Sequence, residues 1–259
     1  MPTNKALGQH WLRDREVLAN IAELAQIEPT DTVLEIGPGL GTLTSELLRR
    51  AKRVVAVEFD AELARKLPGQ FPGTSLEVHN QDILQFDLSS LPAGYKVVAN
   101  VPYYITSKIV QRLMTADNRP SMAVLLVQKE VAERLAAEPG DMSLLAVSAQ
   151  IYADVSLGPI VPAELFTPPP KVDSQVVVLS LRPEPLVDPT DNRQFFRVVK
   201  AGFSAKRKKL RSSLSGGLRV SKLEAERCLE AAKINPDSRA EDLSLHDWQR
   251  LAVAVFELN

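Results

Sequence analysis

Cysteine is nearly absent from the sequence, since Cys228 is the single one. One cysteine cannot form an internal disulfide or a zinc site built from several thiolates, and its scarcity suits a reducing compartment. Long hydrophobic runs are lacking as well, because no apolar stretch approaches the roughly 20 residues that a membrane-spanning helix needs. We therefore expect a soluble, cytoplasmic protein without a metal site or a membrane contact.

An excess of charge of either sign is also lacking over the whole chain, because 31 Lys and Arg and 32 Asp and Glu residues give a formal net charge of −1. This balance argues against a uniformly basic surface for nucleic acid, but it hides an uneven distribution. Residues 1–181 contain 16 basic and 21 acidic residues, whereas residues 182–259 contain 15 and 11. The C-terminal part is therefore the candidate for contact with a polyanion.

Short runs rich in β-branched residues alternate with segments of helical spacing over the first two-thirds of the chain. These runs lie at 32–36, 53–58, 75–79, 96–99 and 123–128. Several are continuously apolar, which is typical of parallel strands covered on both faces. The pattern predicts an α/β fold with a doubly wound, Rossmann-like sheet. Further strands are expected at 155–161 and 174–181, and a helix at 143–151.

The composition changes after residue 181, where prolines interrupt the chain and strand-like runs give way to helical spacing. We predict a domain boundary there, between a catalytic domain at 1–183 and a small helical domain at 184–259. The expected helix starts in the second domain carry capping residues, namely Asp191, Ser221 with Glu224, and Ser244 with Asp247.

A glycine-rich segment follows the first predicted strand and reads Gly37-Pro38-Gly39-Leu40-Gly41. Glycines allow a tight turn and let a ligand approach the main chain, but NAD-dependent oxidoreductases have them here too. Glu58 ends the next strand, where a carboxylate can accept hydrogen bonds from ribose hydroxyls. Asp82 follows the third strand, where it can accept a hydrogen bond from an adenine amine. Together the three strand ends indicate a nucleoside cofactor.

The fourth predicted strand ends in Asn100-Val101-Pro102-Tyr103-Tyr104. An Asn carboxamide oxygen and an adjacent backbone carbonyl can accept both hydrogens of an adenine amine and hold this poor nucleophile toward a methyl donor. Pro102 stiffens the turn, and Tyr103 can stack on the base. Nothing in the segment serves hydride transfer. It therefore predicts an S-adenosylmethionine-dependent methyltransferase that acts on the exocyclic amine of adenine without a metal.

With these motifs the chain resembles the ribosomal RNA adenine dimethyltransferase family, most closely the members that dimethylate two adjacent adenosines of small-subunit ribosomal RNA. The resemblance covers nearly the whole chain and includes two further segments, residues 7–12 and 166–174. It implies a class I methyltransferase fold and a target base gripped by Tyr103 and Phe166. It also implies cofactor contacts from six residues: His10, Leu12, Gly37, Glu58, Asp82 and Asn100.

Two positions depart from the family pattern. The N-terminal motif of the family more often has asparagine and phenylalanine where this chain has His10 and Trp11, and the catalytic motif usually has leucine where Val101 stands. The second departure matters less, because the residue at this position is expected to act through its backbone carbonyl.

A basic segment without acidic residues runs from residue 192 to residue 222 and contains ten Lys and Arg residues. Such a segment suits RNA phosphates, whose neutralisation releases counterions and makes affinity sensitive to salt. An ordinary solvated helix face is the alternative. The predicted RNA-binding residues are the densest group: Lys206, Arg207, Lys208, Lys209 and Arg211.

Two other functions stay open. A large-subunit ribosomal RNA dimethylase of the antibiotic-resistance type shares the same site, and a non-catalytic ribosome assembly factor could keep the fold. Residues 170–174 and 206–211 favour the small-subunit reading, while Asn100, Pro102 and Tyr103 favour catalysis. We expect a monomer whose partner is ribosomal RNA within a small ribosomal subunit or its precursor, and a role in small-subunit biogenesis.

Overall fold

The chain divides into two compact units in the computed structural model, which describes residues 10–188, 190–205 and 207–257. One unit contains the described residues up to Glu133 together with Ala153–Pro183, and the other contains Arg134–Tyr152 and the residues from Glu184 onward. The return to the second unit at Glu184 coincides with the boundary expected from the prolines. Residues 134–152, however, were expected in the first domain.

The assignment of residues 134–152 to the second unit has a clear physical basis. The amides of Gly140 and Met142 both donate to the carbonyl of Glu241, at 2.8 and 3.1 Å, and the amide of Leu186 donates to the carbonyl of Ile151 at 2.9 Å. These partners are distant in sequence. Because residues 134–152 lie between two strands in the sequence, the order of the elements alone predicts that they belong to the same domain as those strands.

The first unit is built on a seven-stranded sheet with the order β4-β3-β2-β5-β6-β9-β7. Neighbouring strands from β4 to β6 are parallel, and β9 is antiparallel to both β6 and β7. All seven predicted strands are present with ends within two residues of the prediction, so the α/β prediction is confirmed. Their bounds are β2 Thr32–Ile36, β3 Arg53–Glu58, β4 Leu76–Asn80, β5 Lys96–Asn100, β6 Met122–Gln128, β7 Ala153–Val161 and β9 Ser174–Leu181.

A separate two-stranded sheet joins β1 Trp11–Leu12 to β8 Phe166–Thr167. The strands are antiparallel, with Leu12 opposite Phe166. Both of these residues are buried, at 2% exposure each, and belong to the apolar core under the main sheet. This pairing fixes the chain that precedes the first helix against a segment near the end of the unit.

Helices connect the strands of the first unit, and their apolar residues recur at helical spacing. In α4 the residues Ile109, Val110, Leu113 and Met114 form one buried face. The carboxylate of Asp14 caps α1 by accepting from the amide of Val17 at 3.0 Å. The helices are α1 Arg15–Leu24, α2 Thr42–Leu48, α3 Ala61–Lys66, α4 Thr106–Thr115 and α5 Lys129–Leu135, which crosses the division between the units.

The second unit is helical, as the sequence predicts. Trp248 is fully buried within it. Ser221 and Glu224 form the expected capping box, since each side chain accepts from the other residue's amide, at 3.1 and 2.7 Å. Ser244 and Asp247 pair in the same way. The helices are α6 Leu144–Gln150, α7 Asn192–Gly202, α8 Leu210–Leu218, α9 Lys222–Ala231 and α10 Leu245–Glu257.

Two adjacent glycines in α8 give a matched test of this packing. A Cβ atom at Gly217 would lie 2.5 Å from the Cα of Ala201 in α7, whereas one at Gly216 would meet no described atom within 4 Å. We expect Gly217→Ala to lower the free energy of unfolding by about 1–3 kcal/mol through overpacking. Gly216→Ala should instead leave it unchanged or raise it by up to ~1 kcal/mol, because alanine favours the helix. Equal urea denaturation midpoints for the two variants would contradict the α7–α8 contact.

Candidate functional site

A cavity of about 320 Å³ opens in the first unit at the carboxyl ends of β2, β3 and β5. The chain runs outward from β2 to β3 and β4 and then returns to β5 on the other side, so the connections reverse direction between β2 and β5. Ligands of open α/β sheets bind at such a reversal. Nine predicted site residues line the cavity: His10, Leu12, Gly37, Glu58, Asp82, Asn100, Val101, Pro102 and Tyr103.

The glycine-rich loop between β2 and α2 forms one wall of the cavity. Gly39 and Gly41 have positive φ angles of 57° and 78°, a conformation that favours glycine. A Cβ at Gly39 would lie 2.4 Å from the indole ring of Trp11, so the loop also needs glycine to admit this ring. A Cβ at Gly37 would meet no described atom closer than 4.0 Å. The backbone at Gly37 is therefore open to a ligand.

Glu58 connects the glycine-rich loop to the end of β3. Its carboxylate is buried and accepts from the amide of Gly39 at 3.0 Å and from the amide of Asp60 at 2.8 Å. Burial raises the pKa of Glu58, while these two amides act in the opposite direction. Each carboxylate oxygen can accept a further hydrogen bond, so Glu58 can hold the loop and still receive a ligand hydroxyl.

Two apolar side chains lie beside the acidic residues of the cavity. Ile83 follows Asp82, whose carboxylate accepts from the amide of Leu84 at 2.9 Å. Phe59 follows Glu58, lines the cavity and is 61% exposed. Phe59 is not among the site residues predicted from the sequence. Its position directly after an acidic strand end, parallel to that of Ile83, is the signal that could have identified it.

Glu35 is a second cavity residue that is not among those predicted from the sequence. It lies in β2 at 1% exposure and lines the cavity, and its Oε2 atom has no hydrogen-bond partner within the described ranges. Burial raises the pKa of Glu35 to about 8, and the carboxylate of Glu58 adds to the rise. A charged residue within an apolar strand that is covered on both faces was the available signal. With Glu58 and Asp82 it makes the cavity acidic, since no Lys or Arg is among the described residues that line it.

The segment after β5 positions the side chain of Asn100. Its Nδ2 donates to the carbonyl of His10 at 3.3 Å, so the carboxamide oxygen stays available as an acceptor. The amide of Val101 donates to the carbonyl of Leu126 at 3.1 Å, which extends the contact between β5 and β6 by one residue. The carbonyl of Pro102 accepts from the amide of Ile105 at 3.2 Å and starts a short 3-10 helix at Tyr103–Ile105.

Tyr103 is fixed at both its hydroxyl and its ring. The hydroxyl lies 2.6 Å from the Oγ of Ser174, which is fully buried. The ring of His10 stacks on the tyrosine ring with centroids 5.8 Å apart and planes 19° from parallel. The Nδ1 of His10 donates to the carbonyl of Pro168 at 2.7 Å. The side chain of His10 therefore has a defined place at the cavity. Burial of the Tyr103 hydroxyl raises its pKa.

A model of the ribosomal RNA adenine dimethylase family matches residues 2–255 of the chain. The chain belongs to this family. A relative from Dehalococcoides mccartyi named ribosomal RNA small subunit methyltransferase A is 40% identical over 98% of this chain and 88% of its own length.

Two solved structures are also similar to this dimethylase. A dimethyladenosine transferase from Plasmodium falciparum has 27% identity and a TM-score of 0.83, with 96% of this chain and 98% of that chain covered. The 23S rRNA methyltransferase ErmE has 32% identity and a TM-score of 0.77, with 95% and 99% covered. The class I methyltransferase fold expected from the sequence is confirmed.

Phe166 is the predicted catalytic residue of the dimethylase that the structure does not bring to the cavity. It is 2% exposed and packs in the core with Leu12 and Leu18, and it is not among the described residues that line the cavity. The cause is the pairing of β8 with β1, which leaves the ring within the core. Its role as a second wall for the target base stays a prediction.

The predicted RNA-binding residues differ in their surroundings. Lys206 lies outside the described residues. Lys209 pairs with Asp237 at 3.0 Å, and Arg211 pairs with Glu226 and Asp237 at 3.3 and 3.2 Å. The basic segment is therefore partly neutralised by acids that follow it in the sequence.

Two residues of the basic segment, Arg207 and Lys208, are exposed and take part in no ion pair between described residues. Arg193, Arg197 and Lys200 add a second basic surface, which the sequence analysis did not single out. They are exposed on α7 at spacings of four and three, so they share one face of the helix.

The described ranges contain neither a metal-binding cluster nor a membrane-spanning helix. No cluster of three or more His, Cys, Asp or Glu side chains with the geometry to hold a metal ion occurs there. Nor does any helix in those ranges combine the length and apolar character that crossing a bilayer requires.

The raised pKa of Glu35 predicts a pH-dependent stability. In the unfolded chain the carboxyl loses its proton near pH 4.5, whereas in the folded protein it keeps the proton up to about pH 8. The stability that depends on this group is therefore complete below pH 4.5 and is lost as the pH rises to about 8, by at most about 1.4 kcal/mol per pH unit.

The variant Glu35→Gln cannot ionise and should not show this loss. We expect its melting temperature, measured without ligand, to rise relative to that of the wild type as the pH increases from 5 to 8. If the melting temperatures of the variant and the wild type change with pH in the same way, Glu35 ionises normally in the folded state.

Proposed function

We propose that the protein transfers methyl groups from S-adenosylmethionine to the exocyclic amines of two adjacent adenosines in small-subunit ribosomal RNA, twice on each. Membership of the ribosomal RNA adenine dimethylase family makes it an adenine methyltransferase of ribosomal RNA. The observation that carries the rest is the orientation of Asn100, whose amide nitrogen is held by the carbonyl of His10 and whose oxygen accepts no hydrogen bond from a described residue at the acidic cavity.

The charge of the cavity favours a cationic cofactor. Glu58 and Asp82 line it, together with Glu35, whose raised pKa keeps it protonated in the free protein, and the described lining residues include no Lys or Arg. An NAD pyrophosphate would be repelled by this surface, whereas a sulfonium and an ammonium group are attracted to it. The repulsion of a pyrophosphate argues against the oxidoreductase alternative. A nearby cation also favours the ionised form of Glu35, so cofactor binding is expected to release a proton.

The residues at the three strand ends have distinct parts in holding the cofactor. Glu58 accepts from the ribose hydroxyls, Asp82 accepts from the adenine amine, and the open backbone at Gly37 allows close approach. Ile83 and Phe59 supply apolar contact for the adenine ring. When bound, S-adenosylmethionine supplies an electrophilic methyl group on a positively charged sulfur.

The residues after β5 prepare the adenine amine for attack. The oxygen of Asn100 and the carbonyl of Val101 accept the two hydrogens of the amine and stabilise the positive charge that develops on its nitrogen. Tyr103 stacks on the base, and its hydrogen bond to Ser174 keeps its ring in place. A strong general base is not required, because the nitrogen becomes acidic only as it gains the methyl group.

Identity to relatives supports the small subunit as the source of the RNA. The relative named for the small subunit is 40% identical, and the 23S rRNA methyltransferase ErmE is 32% identical. The complete set of Asn100, Pro102 and Tyr103 at the cavity supports catalysis over a purely structural role in ribosome assembly. We further propose that the protein acts as a cytoplasmic monomer on the small subunit or its precursor.

The role of Asn100 is testable by substitution. Asn100→Ala removes the acceptor for the amine, and we expect the rate of methyl transfer to fall by about 10²–10³-fold, as when a preorganised hydrogen-bonding group is removed. Undermethylated small subunits and radiolabelled cofactor give the rate. Cofactor affinity, measured by calorimetry, should fall much less.

Full activity of Asn100→Ala would exclude the proposed role. Mapping the methylated nucleotides in the wild-type reaction tests the substrate independently. Methylation confined to large-subunit RNA would overturn the small-subunit assignment. If neither the small-subunit nor the large-subunit RNA is methylated, an assembly factor is favoured.

The basic segment predicts an RNA affinity that depends on salt. Arg207→Ala with Lys208→Ala removes two exposed cations, so RNA binding should weaken and the slope of log affinity against log salt should decrease by up to about 2. Lys209→Ala is the matched control, since Lys209 is already paired with Asp237 and should have a smaller effect. An unchanged slope in the double variant would remove this segment from the RNA-binding surface.

A further inference from the structure

Tyr104 is an aromatic side chain at the cavity that the proposed mechanism does not use. It lies in the 3-10 helix Tyr103–Ile105, lines the cavity and is 62% exposed. Its neighbour Tyr103 is held by Ser174 and His10. By contrast, no hydrogen bond or ring contact joins Tyr104 to another residue of the described ranges. A large ring is thus presented to solvent at the entrance to the site.

Lys108 follows Tyr104 by four residues and lies in the first turn of α4, directly after the 3-10 helix that contains Tyr104. Lys108 is exposed and forms no ion pair within the described part of the chain, and α4 contains no acidic residue. Arg112, the other cation of α4, is held by the carbonyl of Phe86. An exposed aromatic ring at the cavity is therefore followed within four residues by an exposed cation that has no ion-pair partner in the described ranges.

The position in the fold distinguishes Tyr104 from Phe59, the other exposed aromatic residue at the cavity. Phe59 follows the acidic end of β3, on the side assigned to the cofactor. Tyr104 follows Asn100 and Tyr103 at the end of β5, on the side assigned to the target base. A ligand that reaches Tyr104 is therefore part of the nucleic acid.

We propose that Tyr104 and Lys108 bind the nucleotide next to the target adenosine, with Tyr104 stacked on its base and Lys108 against its phosphate. This inference rests on the proposed function and adds the flanking nucleotide to the substrate that the site recognises. Drawing a base out of its stack uncovers a face of its neighbour, and an aromatic ring can cover that face. Because the two targets are adjacent, the base on Tyr104 is the second adenosine while the first reacts.

The activity test compares Tyr104→Ala and Tyr104→Phe on undermethylated small subunits. We expect kcat/KM for the RNA to fall about tenfold in Tyr104→Ala and to stay near the wild-type value in Tyr104→Phe, with cofactor affinity unchanged in both. Wild-type activity in the same assay tests the proposed function by itself. A Tyr104→Ala enzyme as active as the wild type would overturn the role of Tyr104.

A binding test separates stacking from a merely structural effect. A synthetic RNA hairpin with two adjacent adenosines is compared with hairpins in which the nucleotide 5′ or 3′ of one adenosine is abasic. If Tyr104 stacks on that nucleotide, removing its base weakens binding to the wild type but hardly changes binding to Tyr104→Ala. If the abasic nucleotide weakens binding by the same factor in the wild type and in Tyr104→Ala, at both the 5′ and the 3′ position, the stacking is contradicted. This test needs no methyl transfer.

Lys108→Ala tests the phosphate contact. We expect the slope of log affinity against log salt for the hairpin to decrease by about 1, the value for one phosphate contact. Lys52→Ala is the matched control, because Lys52 is exposed at the opposite end of the sheet, immediately before β3, and should leave the slope unchanged. The same slope in both variants would remove Lys108 from the proposed site.

Discussion

The carboxylate of Glu58 holds together the parts of the site that come from different strands. Its bond to the amide of Gly39 fixes the loop after β2, and its bond to the amide of Asp60 fixes the turn after β3. The loop in turn accommodates the ring of Trp11, which needs glycine at position 39. Because one buried group joins these elements, the shape of the cavity is largely set before any ligand enters.

The same region shows a balance between stability and function. Glu35 and Glu58 are both buried, and burial disfavours the charged form of each. Two amides partly offset this cost at Glu58, whereas Glu35 keeps an oxygen without a partner in the described ranges. A cavity meant for an apolar ligand would not need either acid. Both acids are consistent with a ligand that carries positive charge, and the free protein loses stability as the pH rises because the buried carboxyl of Glu35 disfavours ionisation.

Much of the fold could be predicted from the sequence because its signals are local. The strands at 32–36, 53–58 and 174–181 have the predicted bounds, since continuous β-branched runs end at turns or polar residues. The capping box of Ser221 and Glu224 is equally local. The strand ends Glu58 and Asn100 reach one cavity because parallel strands share an edge.

The features that could not be predicted depend on partners far away in the sequence. Phe166 lies in the core because β8 pairs with β1, more than 150 residues earlier. Residues 134–152 belong to the helical unit because of bonds to Glu241 and Leu186. Arg211 is partly neutralised by Asp237, which a count of charges over residues 192–222 does not include.

The contacts of His10 also have a consequence for synthesis of the protein on the ribosome. His10 meets Asn100 through a bond that spans 90 residues and Pro168 through one that spans 158. The chain leaves the ribosome with its N-terminal end first, so His10 waits for most of the first unit before its partners emerge. A nascent chain that ends before Pro168 has the glycine-rich loop and Asn100 but lacks the carbonyl that holds the ring of His10. The wall of the cavity that His10 forms with Tyr103 is therefore completed only after residue 168 has left the ribosome.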